Sequence, residues 1–313
     1  MPRQENSATR FGIAPRTFHW ICIVVTIFVA VIIVTGGAVR LTESGLGCPS
    51  WPNCESGSLA PRPASGIHAT VEFVNRIFTG FVSIAVIAAV FGSLIRRPRR
   101  RDLVWLSVGL VGGVVGQIVL GGITVLSELH PGAVMSHFLL SLVLLSDAIV
   151  LAVRSGYPDK NIVERAVPMP IFRYAWLLTC VASIVVVTGT VVTNTGPHAG
   201  DRTAKRFDLS LPDVARVHGT AVIVFLVLVV GGLFLARRVN ALERLKESFF
   251  LLLMILFLQG ALGYWQYFTG VPALLVGFHL AGATLLWTAT LLLLLRCYEP
   301  VAEVEAPKPT DTY

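Results

Sequence analysis

Apolar residues in this chain gather in long uninterrupted runs, not in the half-and-half stripes of a soluble helix or strand. Eight runs can be read, at about 18–39, 67–95, 103–126, 133–153, 174–194, 214–236, 249–268 and 273–296. Each has the roughly 20 residues that a helix needs to cross a bilayer's hydrocarbon layer. The polar segments between them differ in charge. Arg3, Arg10 and Arg16 precede the first run, and RRPRRRD after the second carries five arginines. Residues 154–173 and 236–248 hold four Lys or Arg each, whereas the long loops 40–66 and 195–213 hold two and three. Basic loops stay on the cytoplasmic side, so both termini are expected there and the two long loops outside.

Composition agrees, with 54% hydrophobic residues, 14% charged and a mean hydropathy of +0.74. The net charge of +7 resides in the short inter-run segments, which argues for membrane orientation over nucleic-acid binding. The first run is too long for a cleaved signal peptide and should remain as a span. The tail from 297 to 313, rich in Glu and Pro, reads as disordered.

Polar chemistry concentrates at the outer ends of the runs. In SGIHATVEFVNRIFTG, a helix places His68, Glu72, Asn75 and Arg76 on one face. Ionisable groups at membrane depth usually face a bundle interior and serve a site, the alternative being a helix end among headgroups. His137 lies inside the fourth run, Arg216 and His218 open the sixth, and His279 lies inside the eighth. His130 precedes a Pro-Gly break, and His198 reads as a solvated loop histidine. Cys48 and Cys54, six residues apart in a loop on the oxidising side, point to a disulfide, with free thiols or metal ligands as alternatives. Cys22, Cys180 and Cys297 read as packing residues.

The chain repeats itself. TGGAVRLTESG matches TGTVVTNTGPHAG, and GQIVLGGITVLSELHPGAVMSHF matches LQGALGYWQYFTGVPALLVGFH. This sets His137 on His279 and Asn75 on His218, with separations of 62 and 61 residues. Four spans per repeat make a parallel duplication, two tandem four-helix bundles over 1–153 and 174–296 joined by a linker over 154–173. His218 and His279, opposed at one depth, suit the two axial positions of a six-coordinate haem. No Cys-x-x-Cys-His sequence occurs, so a covalently attached haem is not expected. The first half departs from the second, since Asn75 replaces one histidine and Glu72 has no counterpart, its repeat partner being Ala215. His68 and His130 form a further pair 62 residues apart, about 10 Å outward along the helix.

Over residues 18–296 the chain resembles the haem A synthase family, through GGAVRLTESGLGCPSWPNC, E-x-x-N-R from Glu72 to Arg76, SHFLLSL, TNTGPHAGD, RVHG and GFHLAG. The resemblance implies oxidation of a methyl group of haem O to a formyl group, giving haem A for terminal oxidases, beside a bound haem b. By position, His218 and His279 match the haem b ligands, His137 a ligand of the substrate haem, Glu72 the required glutamate, and Cys48 with Cys54 the outer-loop disulfide. Glu72 would accept a proton or stabilise developing positive charge. Arg76 and Arg216 would meet propionates, and His68 is a further candidate iron ligand. Asn75 stands where the commoner pattern has a second histidine ligand. Implied partners are a haem O synthase, an electron donor or acceptor, the lipid bilayer of the cell membrane and a homo-oligomer. Two alternatives are a dihaem b-type electron-transfer protein, against which the lone Glu72 argues, and a transporter, which would place its polar groups at midplane breaks.

Overall fold

The computed structural model describes residues 12–159 and 161–302. It is an all-α membrane protein. Among the described residues, eight helices are long and apolar enough to cross a membrane: α1 (Pro15–Leu41), α2 (Gly66–Ile95), α3 (Arg101–Leu126), α4 (Pro131–Ser155), α5 (Met169–Thr195), α6 (Leu211–Arg238), α7 (Leu242–Phe268) and α8 (Ala273–Leu295). Several start before their apolar runs. The α7 helix begins seven residues earlier than its run, through LERLKES, where Lys246 pairs with Glu243 at 2.7 Å. An apolar run measures the bilayer, and a helix continues past it wherever polar side chains can reach water. Outward-facing positions include Trp105, Phe257 and Phe268, so the solvent of this surface is lipid.

Helices α1–α4 close one ring, and α5–α8 close a second. Neighbours pack around each ring, while the diagonal pairs α2/α4 and α6/α8 scarcely touch. Between the rings, α1 packs on α8, α4 on α5, and α4 on α8. Under the duplication, α1 corresponds to α5 and α4 to α8, so the first two contacts are copies and the third lies on the pseudo-twofold axis. Gly37 permits the α1–α8 approach, because a Cβ there would overlap the Leu280 side chain.

The dry core sits toward the end that carries both termini. In α6 no residue before Phe225 is buried, in α7 none after Leu256 and in α8 none before Thr284. The first ring repeats the gap. In α2 nothing is buried between Glu72 and Val82, and in α4 nothing between Pro131 and Leu142. Asn75, His137, His218 and His279 all fall inside these gaps.

One expectation fails. The tail is not disordered from 297 onward, because β2 (Tyr298–Ala302) pairs antiparallel with β1 (Asn161–Arg165) inside the linker. Ile162, Val163 and Val301 give both segments β-branched residues. Arg244 then clips the ribbon to α7, donating to the carbonyls of Arg296 and Tyr298 and pairing with Glu299 at 2.8 Å. Burial pushes the Cys297 thiol up to about 11, which keeps it a neutral packing group. The remainder of the expected tail lies outside the described residues.

At the opposite end the long loops are joined by Arg40 at the end of α1. Its Nε donates to the His198 carbonyl at 2.6 Å and its guanidinium to the Thr193 carbonyl at 2.8 Å. Beside it, the Gly45 N–H donates to the Gly200 carbonyl at 2.9 Å. Removing the guanidinium strands partly buried acceptors, at about 1–3 kcal/mol for each left dry. Arg40→Met, which keeps the apolar stem, should raise hydrogen exchange across 196–207 by about tenfold or more. Unchanged protection there would show that Arg40 does not join the halves.

Candidate functional site

The outer end of the first bundle is roofed by its long loop. Cys48 and Cys54 form a disulfide, and both are fully buried. Beneath it lies Glu72, on the first turns of α2 and 6% exposed. Its Oε2 accepts the Cys48 backbone N–H at 2.8 Å, while Oε1 pairs with Arg76 one turn on at 2.6 Å. Arg76 also donates to the carbonyls of Cys48 and Asn53, at 3.2 Å each, and lies 5.3 Å from the Trp51 ring centroid. The Trp51 indole in turn packs on Gly122 of α3, where a Cβ would come within 2.6 Å of its nitrogen. Gly47 is required for the roof to close, since a Cβ there would overlap the His68 carbonyl.

Further along, Asn75 on α2 and His137 on α4 are each half-buried. Neither is satisfied by the protein, for Asn75 Oδ1 and His137 Nδ1 are buried without a hydrogen-bond partner. Such groups are rare in native structures and call for an explanation. Gly121 of α3 abuts the imidazole, with a Cβ position 3.4 Å from His137 Cε1. Gln117 donates to the His137 carbonyl at 3.2 Å and bonds Ser141 Oγ at 3.0 Å, bracing the turn that carries the ring.

The second bundle repeats the arrangement with two imidazoles. His218 on α6 and His279 on α8 face each other with ring centroids 6.4 Å apart and planes at 83°. Gly263 of α7 stands to His279 as Gly121 stands to His137, again at 3.4 Å. A Cβ at Gly189 of α5 would fall 3.1 Å from His218 Cε1, and Thr188 Oγ1 lies 3.1 Å from His218 Nδ1 in a hydrogen bond. His279 Nδ1, like His137 Nδ1, is buried and unpartnered. Two nitrogen–metal bonds of roughly 2 Å in line, plus two ring radii of about 1 Å, give roughly 6 Å between centroids. The pair could therefore hold a metal-centred group between its two imidazoles.

A statistical model of the COX15-CtaA family, described as cytochrome oxidase assembly protein, matches residues 19–71 and 64–200, more than half of the chain. The chain belongs to this family. Relatives named heme A synthase include one from Lysinibacillus sphaericus, 27% identical over 58% of this chain and 59% of its own length. Another, from Geobacillus kaustophilus, is 30% identical over 42% of this chain and 41% of its own. The chain thus aligns with only about half the length of these relatives. A Caulobacter relative of the same name is 27% identical over 85% of this chain and 92% of its own length.

Several residues of this family member lie apart from the two facing pairs. His68 is exposed at the start of α2, with Nδ1 bonded to Ser44 Oγ at 3.0 Å, and this geometry does not bring it to Asn75 and His137. His130 caps α4, its Nδ1 accepting the Gly132 N–H at 3.3 Å. His198 is not a solvated loop residue, because its Nε2 bonds the Val271 carbonyl at 2.8 Å and latches two outer loops together. Arg216 is exposed at the mouth of the second bundle, paired only with Asp213 at 3.1 Å. The supporting residues Thr188, Gly189, Gly121, Gly263 and Trp51 lie inside the matched segments, but the sequence alone assigned them no role. For Gly121 and Gly263 the duplication carried the signal, since they share the 142-residue offset of His137 and His279.

The roof makes a test of Glu72 possible. Glu72→Gln keeps an oxygen for the Cys48 N–H but offers Arg76 no charge, and Glu72→Ala keeps neither. Breaking a buried ion pair by removing one partner typically costs about 3 kcal/mol or more. Exchange across 48–53 should rise on the order of 100-fold in Glu72→Ala and far less in Glu72→Gln. Full protection in Glu72→Ala would remove the anchoring role.

Proposed function

We propose that the protein is a haem A synthase. It takes haem O as substrate in the first bundle, oxidises one porphyrin methyl group to a formyl group, and keeps a haem b in the second. The reading is carried by the facing His218 and His279 imidazoles, 6.4 Å apart in a stretch where neither α6 nor α8 has a buried residue. Family membership and the names of the relatives support it. Two hydroxylations at one carbon give a geminal diol, which loses water to the aldehyde. With water as the oxygen source, each hydroxylation takes up one water oxygen and releases two protons and two electrons, the electrons passing to a redox acceptor.

In this reading His218 and His279 would hold haem b, and the Thr188 hydroxyl, bonded to His218 Nδ1, would leave the other His218 nitrogen for it. When bound, haem b supplies one-electron transfer. Arg216, with its guanidinium at the open mouth, meets a propionate. His137 holds the substrate haem. The Glu72 carboxylate, just outside, keeps negative charge beside the reacting edge and fixes the roof that excludes water. To act as a base it must first release Arg76 or the Cys48 N–H, since both of its oxygens are engaged. For Arg76, whose donors go to Glu72 and the loop carbonyls, a positioning role fits better than a direct propionate contact. The arginine-rich segments favour a cell-membrane protein with both termini cytoplasmic.

The test is pyridine haemochrome analysis of protein purified from cells that supply haem O. Wild type should contain haem b together with haem O or haem A. His218→Ala and His279→Ala should lose the low-spin haem b spectrum, while His137→Ala should keep it and form no haem A. Haem b alone in every preparation, with no haem A formed, would overturn the assignment and favour a dihaem electron-transfer protein.

A further inference from the structure

The duplication provides an internal comparison for the first-half site. In the second half, the His218 imidazole covers Gly189 on α5, where a Cβ would fall 3.1 Å from its Cε1. Its repeat counterpart is Gly36 on α1, in the matching Thr-Gly step, and there a Cβ would meet nothing within 4 Å. The volume that an imidazole fills in one half is therefore open in the other. The repeat puts Asn75 where the second half has His218, and the Asn75 Oδ1 is buried and unpartnered. Across the bundle His137, seated on Gly121 as His279 is seated on Gly263, repeats the geometry of a single axial ligand.

An amide is a weak iron ligand beside an imidazole, yet it carries both N–H donors and a carbonyl acceptor. Which of its two ends points inward is an assignment, so the amide can present an N–H to an atom bound in front of it. It is uncharged, and nothing else within hydrogen-bonding reach satisfies its oxygen. A buried amide of this kind is costly unless a guest completes its hydrogen bonding. The His68 ring, bonded to Ser44 in the outer loop, does not take the place.

We propose that the haem face opposite His137 is an open position for a small uncharged diatomic ligand, lined by the Asn75 amide and the bare backbone at Gly36. This rests on the reading of the first bundle as the substrate-haem site. The two halves then differ in kind. The second is closed by two histidines and refuses exogenous ligands, whereas the first is held from one side and accepts them.

Carbon monoxide is the probe, used on the full chain in detergent, loaded to two haems and reduced with dithionite. One of the two haems should give a carbon monoxide difference spectrum, and the other should remain low-spin. Asn75→His should abolish the carbon monoxide spectrum and convert that haem to a second low-spin signal. Asn75→Ala should keep it but release carbon monoxide about tenfold faster, the worth of one hydrogen bond. His137→Ala should remove the reactive haem and spare the other. Two bound haems with neither binding carbon monoxide would overturn the open face while leaving the two-haem reading intact. A protein that takes up only one haem, or a carbon monoxide signal that survives His137→Ala, would overturn the first-bundle reading itself.

Discussion

Between α6 and α8 two imidazoles face each other at 6.4 Å, held apart because each ring is seated against a glycine of a third helix. Neither bundle can relieve this by collapsing. The buried cores on the terminal side lock the lower halves of all eight helices and fix the spacing of their upper halves. Two imidazoles held face to face inside a membrane suit a group bound between them under the proposed function, and the rest of the architecture serves the need to hold them there.

The two copies answer it differently. In the second bundle the long loop is tied down by Arg40 and His198, well away from the imidazoles. In the first, the loop is pulled directly over the site by a buried carboxylate, an arginine and a tryptophan. A buried ion pair is a poor source of net stability, because desolvating two charges offsets most of their attraction. Its use here is geometric, since the carboxylate has one oxygen for the loop backbone and one for Arg76. The disulfide keeps the loop short enough that this one anchor orders it.

Much of this was legible in the amino-acid sequence. The eight spans, the duplication, the half-specific Glu72 and the facing histidines follow from run length, internal matching and helical spacing. What stayed hidden depends on backbone. The Cys48 N–H has no side-chain signature that would announce it as the partner of Glu72. The latch from His198 to the Val271 carbonyl joins residues 73 apart through an atom that every residue has. Composition misled at the tail, where the Glu and Pro of the whole segment outweighed the few apolar residues that make the strand. Helix ends were missed for a similar reason, as the length of an apolar run reports bilayer thickness rather than where hydrogen bonding stops.

The small ribbon between β1 and β2 bears on how the molecule is made. Its first strand is synthesised before α5 and its second only after α8. The ribbon therefore cannot guide the second bundle into the membrane, because every span must already be in place when Tyr298–Ala302 emerges. It closes last, joining the segment that enters the second bundle to the segment that leaves it, with Arg244 of α7 clipped on from the side. Once shut, it ties the end of α8 to the linker, so that the helix bearing His279 cannot slip along the membrane normal relative to the helix before it. The depth of an imidazole near one surface is thus held by a two-stranded clasp near the other.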